Sequence, residues 1–304
     1  MLVAYSLYVK GDGDMSGHER LQMKELSLPQ GRLRYADEGE GPVIVLIHGV
    51  LVSASLWSKV VPLLANDFRV VVPDLPLGCH RVPMKPDADL SPPGVAALIA
   101  DMLDALDLDD VTLVGNDTGG ALSQIAATTR PERIGRLVLT NCDVLEHFPP
   151  KAFKALLGAA KIPGVLTGLM VPARVVRPLR STNLAFGLLM KRPDHDLMDE
   201  WVRAFFADSG VRRDVVKVVK GIDPRQTIDA AERLATAGIP LLCVWAPEDR
   251  AFRIEFAERL AAMVPGAQIQ RVEDSLTFVM VDQPERTAEL IGAFARERQP
   301  ASPD

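Results

Sequence analysis

The chain has 304 residues, of which 48% are hydrophobic, and its formal net charge at pH 7 is −6. This length allows one large α/β domain with an inserted subdomain, or two modest domains. Lysine and arginine are mixed with acidic residues and form no basic run, which argues against nucleic-acid binding. Every long apolar stretch is interrupted well before the roughly 18 residues of a membrane span, so no membrane partner is expected.

The cysteines and the two chain ends add little chemistry. Cys79, Cys142 and Cys243 are too few for a disulfide framework, and no Cys-x-x-Cys or histidine cluster indicates a metal. We therefore expect no metal and no cofactor, and a reduced, cytoplasmic compartment. Residues 1–21 begin apolar but lack the basic region of a signal peptide, which predicts a disordered extension. The tail Gln299–Asp304 also has the composition of unstructured chain.

Short β-rich runs alternate with helical ones from about residue 22 onward. The first two strands flank Pro29-Gln-Gly31 and are predicted to form a hairpin. The predicted strands are 23–28, 32–36, 43–47, 68–72, 111–114, 137–140, 240–245 and 268–272, and the predicted helices are 55–65, 95–106, 120–129, 252–263 and 288–298. This alternation predicts an α/β fold with a mostly parallel central sheet and helices on both faces.

One segment, residues 145–236, breaks the alternation. It is rich in Leu, Val, Ala and Arg, favours helix and is punctuated by prolines. Its position between two predicted strands indicates a helical cap inserted into a core made of residues 22–144 and 237–298. The apolar surface that such a cap leaves over the core favours a small hydrophobic or amphipathic ligand.

The most informative motif is Val111-Thr-Leu-Val-Gly-Asn-Asp117-Thr-Gly-Gly120. It is a short apolar strand, a tight turn with small residues around one reactive side chain, and then a helix, which is the pattern of a nucleophile elbow. Asp117 stands at the reactive position, where a carboxylate can attack carbon and form an ester. Asp117 could instead be a simple helix cap. Glycine at 115, 119 and 120 argues against that alternative, because a cap does not need three small neighbours.

Two further segments fit an active site around Asp117. His48-Gly49 follows the buried strand 43–47, and in this interpretation the N–H groups of Val50 and Thr118 form an oxyanion hole. The alternative is that His48-Gly49 is only a tight turn. Asp249 follows the buried strand 241–244, where a carboxylate would orient a catalytic histidine. Its alternative role is a cap for the next helix.

The order of these parts strongly resembles the α/β-hydrolase superfamily, over roughly residues 30–296. Asp-Gln-Pro-Glu at 282–285, ahead of the last helix, is also typical of that family. An aspartate at the elbow resembles the branch of haloalkane dehalogenases and epoxide hydrolases. The resemblance implies an α/β-hydrolase fold and an ester on Asp117 that a histidine-activated water hydrolyses, with Asp249 as the supporting acid.

The chain departs from that pattern at the positions that complete the chemistry. Thr277 occupies the slot of the family's histidine, and threonine cannot act as a general base near neutral pH. Dehalogenases of this type usually carry Trp and often Asn where this chain has Thr118 and Val50. Epoxide hydrolases use cap tyrosines, whereas the three tyrosines here, at positions 5, 8 and 35, all precede the cap. We expect Thr277 to lie within reach of both Asp117 and Asp249.

Other polar residues are candidates for the pocket wall. They are His48, His80, Asn141, Asp143 and His147, each at or just past the end of a predicted strand. The sequence therefore predicts a hydrolase acting on a small hydrophobic substrate, with Asp117 central. The sequence leaves two alternatives open, a non-hydrolytic lyase or cyclase and an inactive ligand-binding member of the fold. It also leaves open whether the chain forms a homodimer.

Overall fold

An eight-stranded sheet forms the centre of the molecule in a computed structural model that describes residues 21–297 except 152, 163 and 184. The predicted extension, apart from its last residue Leu21, and the tail from Gln299 lie outside the described residues. The strands are Met23–Leu28 (β1), Gly31–Glu38 (β2), Val43–Ile47 (β3), Arg69–Pro73 (β4), Val111–Asp117 (β5), Ile134–Cys142 (β6), Leu241–Trp245 (β7) and Gln268–Arg271 (β8).

The strand order is β1-β2-β4-β3-β5-β6-β7-β8. The hairpin β1–β2 and its pairing with β4 are antiparallel, and every later pair is parallel. The mostly parallel α/β sheet predicted from the sequence is therefore confirmed. In such a sheet the carboxyl ends of the parallel strands meet at one edge, where ligands bind. The ends of β3, β5, β6 and β7 and the loop after β8 bring the candidate site residues to that edge.

Helices cover both faces of the sheet and continue into the insertion. They are Val61–Leu64 (α1), Pro92–Ala105 (α2), Thr118–Thr129 (α3), Lys154–Ala160 (α4), Val165–Val175 (α5), His195–Ala207 (α6), Ser209–Lys220 (α7), Pro224–Ala237 (α8), Ile254–Met263 (α9), Val279–Asp282 (α10) and Pro284–Arg296 (α11). Short 3-10 turns at Ala54–Trp57, Pro131–Arg133, Arg177–Ser181 and Phe186–Leu188 complete the described elements.

Two helices differ from their predicted bounds by four residues or more at one end, and proline explains both differences. The predicted helix 55–65 is a 3-10 turn followed by the short helix α1, in which Pro62 lies in the first turn. The last helix begins at Pro284, four residues earlier than predicted. Proline has no N–H to donate along a helix, but the first turn does not need that donor, so a helix readily begins at proline.

The segment 145–236, predicted as a cap, consists of two parts that pack against different elements. Helices α4 to α7 pack on one another, whereas α8 packs against α3 beside the sheet. Trp201 of α6 is fully buried at the carboxyl edge of the sheet, where its indole N–H donates to Ser55 Oγ (3.0 Å) and its ring meets Phe278 edge-on. The insertion thus rests on the loops that follow β3 and β8. The bounds of a separate cap stay a prediction.

Within the described part of the chain, no single helix is long and apolar enough to cross a membrane. Helices α4 and α5 reach that length only together, and they are bent by 116°. The same residues contain no group of three His, Cys, Asp or Glu side chains placed to hold a metal ion, and all three cysteines are free and buried.

Candidate functional site

Asp117 is both the last residue of β5 and the residue that caps α3. Its backbone has φ 53° and ψ −132°, a conformation that costs a non-glycine residue about 1–3 kcal/mol. Such strain persists only where the surrounding structure fixes it, and it concentrates at functional sites. The side chain is 8% exposed at the carboxyl edge of the sheet. The turn therefore presents this carboxylate in the manner of a nucleophile elbow.

Close backbone packing explains the glycines of the elbow. A Cβ on Gly119 would lie 2.4 Å from the carbonyl oxygen of His48, and one on Gly115 would lie 2.6 Å from that of Gly119. A Cβ on Gly120 would meet the Cys142 side chain at 2.3 Å. Real Cβ atoms do not approach other atoms so closely. The three glycines are thus needed to seat α3 against β3 and β6, which a simple helix cap would not require.

The carboxylate of Asp117 has two different surroundings. Its Oδ1 accepts a hydrogen bond from the backbone N–H of Thr118 (2.6 Å) and lies 3.2 Å from the Thr118 hydroxyl. Its Oδ2 faces the turn after β3, since a Cβ on Gly49 would lie 2.6 Å from it. One oxygen is therefore held by the N–H predicted to stabilise an oxyanion, and the other faces the turn that contains Val50. The role of Val50 stays a prediction.

Burial makes this carboxyl group unusually basic. Removal from water raises the pKa of Asp117 to about 7, the nearby Asp249 charge adds to that effect, and the two hydrogen bonds from Thr118 oppose it. A carboxyl group that titrates near neutral pH can serve as a nucleophile or as an acid–base group. Asp143, just past β6, lies across the Thr118 hydroxyl from Asp117, with its Oδ2 3.3 Å from Thr118 Oγ1.

Asp249 is held by four hydrogen-bond donors. Its Oδ1 accepts from the backbone N–H groups of Ala251 (2.8 Å) and Phe252 (3.1 Å). Its Oδ2 accepts from the Asn141 amide (2.8 Å) and the Thr277 hydroxyl (2.7 Å). Burial raises the pKa of Asp249 to about 6 in spite of these bonds. Each oxygen thus accepts two hydrogen bonds, and the carboxylate holds together the end of β6 and the loops after β7 and β8 at the edge of the sheet.

Thr277 lies between the acid and the elbow. Its hydroxyl donates to Asp249, and its carbonyl oxygen accepts from the side-chain amide of Asn116 (2.9 Å), the residue before Asp117. It is fully buried. This placement agrees with the expected contact between Thr277 and Asp249, whereas the expected reach of Thr277 to Asp117 stays a prediction. Its assignment to the histidine slot stays a prediction.

Replacing Thr277 with valine tests the bond to Asp249. The change keeps the shape and removes the donor, which leaves a buried carboxylate less satisfied. We expect the free energy of unfolding to fall by about 1–3 kcal/mol at about pH 8, where Asp249 is ionised. The loss should shrink at about pH 5, because protonated Asp249 no longer needs that donor.

Urea denaturation at the two pH values measures both quantities. Thr287→Val is the matched control. The buried Thr287 hydroxyl donates only to backbone carbonyls among the described residues, with Gln283 as the nearer acceptor (2.7 Å), and so its bonds involve no titratable side chain. Its cost should be the same at both pH values. Equal losses at both pH values for Thr277→Val would contradict the described role of its hydroxyl.

His48 is fully buried and both of its ring nitrogens are occupied. Nε2 accepts from the N–H of Leu75 (3.0 Å), so Nδ1 carries the proton and donates to the carbonyl of Gly49 (2.9 Å). Burial lowers the pKa of His48 to about 4. This histidine is therefore neutral near pH 7, and it braces the turn after β3.

The other two candidate histidines lie in separate surroundings. His80 is buried under α7, with Nε2 3.2 Å from Asp214. His147 places Nε2 2.9 Å from the carbonyl of Ala251 and stacks on Phe256, and burial lowers its pKa. Among the described residues, neither of these two rings is hydrogen-bonded to Asp117. The described contacts therefore give Asp117 no histidine partner.

Two surface cavities lie away from these carboxyl groups. One, of about 490 Å³, is lined by residues of β1, β2 and the 82–85 loop. The other, of about 250 Å³, is lined by Asn183, Gly187, Leu188, Lys191, Glu248, Arg250 and Leu276. Neither is lined by Asp117, Asp143 or Asp249. The chemistry of the elbow, rather than cavity size, identifies the candidate site.

Sequence reasoning missed two residues that shape the region. Trp201 closes the sheet edge from the insertion, and Asp214 of the insertion pairs with His80. Each partner lies more than a hundred positions away in sequence. A lone tryptophan or aspartate in an amphipathic helix gives no signal of such a contact.

Comparison with known proteins agrees with the fold described above. Residues 42–284 match the family profile described as the alpha/beta hydrolase fold. Haloalkane dehalogenase 2 from Mycobacterium tuberculosis is 30% identical over 273 residues, 86% of this chain and 91% of that protein. A 2-hydroxy-6-oxononadienedioate/2-hydroxy-6-oxononatrienedioate hydrolase from Pseudomonas putida is 28% identical over 275 residues, 85% of this chain and 88% of that protein. The crystal structure of haloalkane dehalogenase DbeA from Bradyrhizobium elkani superposes with a TM-score of 0.71 at 20% identity, covering 90% of this chain and 97% of that one.

Proposed function

Since the chain belongs to the α/β-hydrolase superfamily, we propose that it is a hydrolase of small hydrophobic substrates in which Asp117 is the nucleophile. One observation carries the proposal. Asp117 lies in a strained elbow with Oδ1 held by the Thr118 N–H and Oδ2 facing the turn at Gly49. A carboxylate so oriented attacks through Oδ2 while Oδ1 stays bound to a donor.

The nucleophile type favours attack on an alkyl carbon. A carboxylate that attacks an acyl carbon forms an anhydride, which is more reactive than the ester it came from. Attack on a saturated carbon that bears a leaving group forms a stable alkyl ester instead. The similarity to a haloalkane dehalogenase supports this choice. The substrate class proposed is therefore a small apolar molecule with a displaceable group on saturated carbon.

The second step, hydrolysis of the ester, is the weak part of this site. Water attacking the ester carbonyl carbon would place charge on Oδ1, where the Thr118 N–H already donates. The described contacts, however, give Asp117 no histidine to activate that water. We therefore expect an ester on Asp117 to form faster than it is hydrolysed.

A non-hydrolytic lyase or cyclase is the second candidate. The pKa of Asp117, raised to about 7 by burial, suits proton transfer to and from a substrate at neutral pH. In that case Asp117 exchanges a proton with the substrate and forms no covalent bond. The two candidates differ in one measurable product, the ester.

Intact-mass spectrometry after incubation with haloalkanes, epoxides and activated esters tests the proposal. We expect one alkyl group added per chain by a primary haloalkane, with peptide mapping to Asp117 and little alcohol released at first. Asp117→Asn, which keeps the shape and removes the nucleophile, should show no adduct at position 117. An adduct of equal yield in the variant would refute the role of Asp117. The absence of any adduct or turnover across the panel would favour an inactive ligand-binding protein.

A further inference from the structure

Asp143 is a buried carboxyl group that the first chemical step does not use. It is 1% exposed, and its Oδ2 lies 3.3 Å from the Thr118 hydroxyl oxygen. Its Oδ1 is buried and has no hydrogen-bond partner among the described residues. A buried carboxyl oxygen without a protein donor is costly, so its presence calls for a structural or functional explanation.

The hydroxyl of Thr118 fixes the location of a proton. It lies 3.2 Å from Asp117 Oδ1 and 3.3 Å from Asp143 Oδ2, yet it has only one hydrogen to donate. Two ionised carboxylates would leave one of these contacts without a hydrogen. Asp117 also receives the Thr118 N–H, which favours its ionised form. The proton therefore resides on Asp143, which donates to Thr118, and Thr118 donates to Asp117.

The surroundings of Asp143 agree with this arrangement. Burial, together with the charge of Asp117, raises the pKa of Asp143 well above its usual range. The other titratable neighbour is the Cys142 thiol, whose pKa is raised well above its usual value by burial, so it stays neutral. Burial and, after it, the charge of Asp117 thus keep the proton on Asp143.

Asp249, Thr277 and His48 at the sheet edge are not free to act as a base. Asp249 accepts four hydrogen bonds, and the Thr277 hydroxyl is committed to it. His48 uses both ring nitrogens in the turn after β3. Asp143 is the carboxyl group next to Asp117 whose Oδ1 has no partner among the described residues, so once ionised it is free to accept a proton.

We propose that Asp143 is the general base for hydrolysis of the ester on Asp117, in place of the family's histidine. This inference rests on the proposed function. In the first step, Oδ2 of Asp117 bonds to the substrate carbon, and the leaving group departs with the electron pair of its bond. The ester is neutral, so the contribution of the Asp117 charge to the raised pKa of Asp143 is removed while that of burial remains, and this loss lets Asp143 release its proton to solvent.

In the second step, ionised Asp143 takes a proton from water as the water oxygen bonds to the ester carbonyl carbon. The resulting intermediate expels the alcohol, which receives the proton from Asp143, and leaves Asp117 as a carboxylic acid that carries the second proton of the water. That proton passes to Asp143, which restores ionised Asp117 and protonated Asp143. The net reaction consumes one water and releases the alcohol, the leaving group and one proton. Formation of the ester on Asp117 thus converts Asp143 from an acid to a base.

The wild-type protein alone provides one test. Alkylation of a carboxylate by a primary haloalkane releases halide and no proton, so any proton released must come from the protein. With enzyme and a primary bromoalkane in weak buffer at about pH 8, an indicator dye should report one proton per adduct formed. Adduct formation without proton release would overturn the proposal.

Asp143→Asn provides the second test, because the amide donates to Thr118 as the protonated acid does but cannot accept a proton from water. We expect adduct formation within about threefold of wild type and adduct hydrolysis slower by about a hundredfold, with loss of the pH dependence due to Asp143. Asp37→Asn, a change at an acid on β2 that pairs with Lys24 and Arg69 away from the elbow, is the control and should leave hydrolysis of the adduct unchanged. Equal decay of the adduct in wild type and Asp143→Asn would overturn the role of Asp143. Absence of any adduct in wild type would instead overturn the proposed function, and this inference with it.

Discussion

The rate of Asp117 alkylation is expected to rise about tenfold for each unit of increase in pH up to about pH 7, and to level off at higher pH. Only the ionised carboxylate attacks carbon, and burial raises the pKa of Asp117 to about 7. An exposed aspartate, with a pKa near 3.9, would react at a nearly constant rate over the same range. Rates of adduct formation from about pH 5 to about pH 9, measured by quenched intact-mass spectrometry, test this profile.

The same series on Asp117→Asn gives the background from other carboxylates. That background should be small and nearly independent of pH, because exposed carboxylates are already ionised throughout the range. A wild-type profile that is flat, or that has its midpoint near pH 4, would contradict the buried and strained placement of the nucleophile.

Gly119→Ala is expected to lower the free energy of unfolding by about 3 kcal/mol. The added methyl group would lie 2.4 Å from the carbonyl oxygen of His48 and 2.7 Å from that of Ile47. Both are backbone atoms at the end of β3, so the contact can be relieved only by moving α3 away from the sheet. The same movement would displace Thr118 and reduce adduct formation on Asp117.

Gly158→Ala is the matched control for the cost of a methyl group on a helical glycine. Gly158 lies in α4, and a Cβ there meets no atom within 4 Å. It should be neutral or stabilising by up to about 1 kcal/mol, as alanine favours helix over glycine. Similar unfolding midpoints in urea for the two variants would contradict the packing described for the elbow.

The sheet and the elbow could be predicted from the sequence because their signals are local. Continuous apolar runs such as 43–47 indicate strands buried on both faces, and small residues on both sides of Asp117 indicate the turn that carries it. The predicted start of the helix at residue 55 is wrong because α1 is too short to show a helical periodicity, and Pro62 in its first turn determines where it begins.

Contacts between distant segments could not be predicted in the same way. The sequence places Asp143 at the end of β6, but it does not show that a single hydroxyl, that of Thr118, lies between two carboxyl groups. The same holds for Asp249, whose four donors come from three separate parts of the chain. Hydrogen-bond inventories depend on side-chain geometry, and that geometry decides which carboxyl group is free to act.

A single turnover in oxygen-18 water tests the central claim, that Asp117 forms a covalent ester, most directly. With enzyme in excess over a primary haloalkane, water attacks the ester carbonyl carbon, so the label should appear in the Asp117 carboxyl group. The first alcohol released should carry the original, unlabelled oxygen of Asp117. Label in that first alcohol together with an unlabelled Asp117 peptide would show that water attacks the substrate directly and would contradict the account.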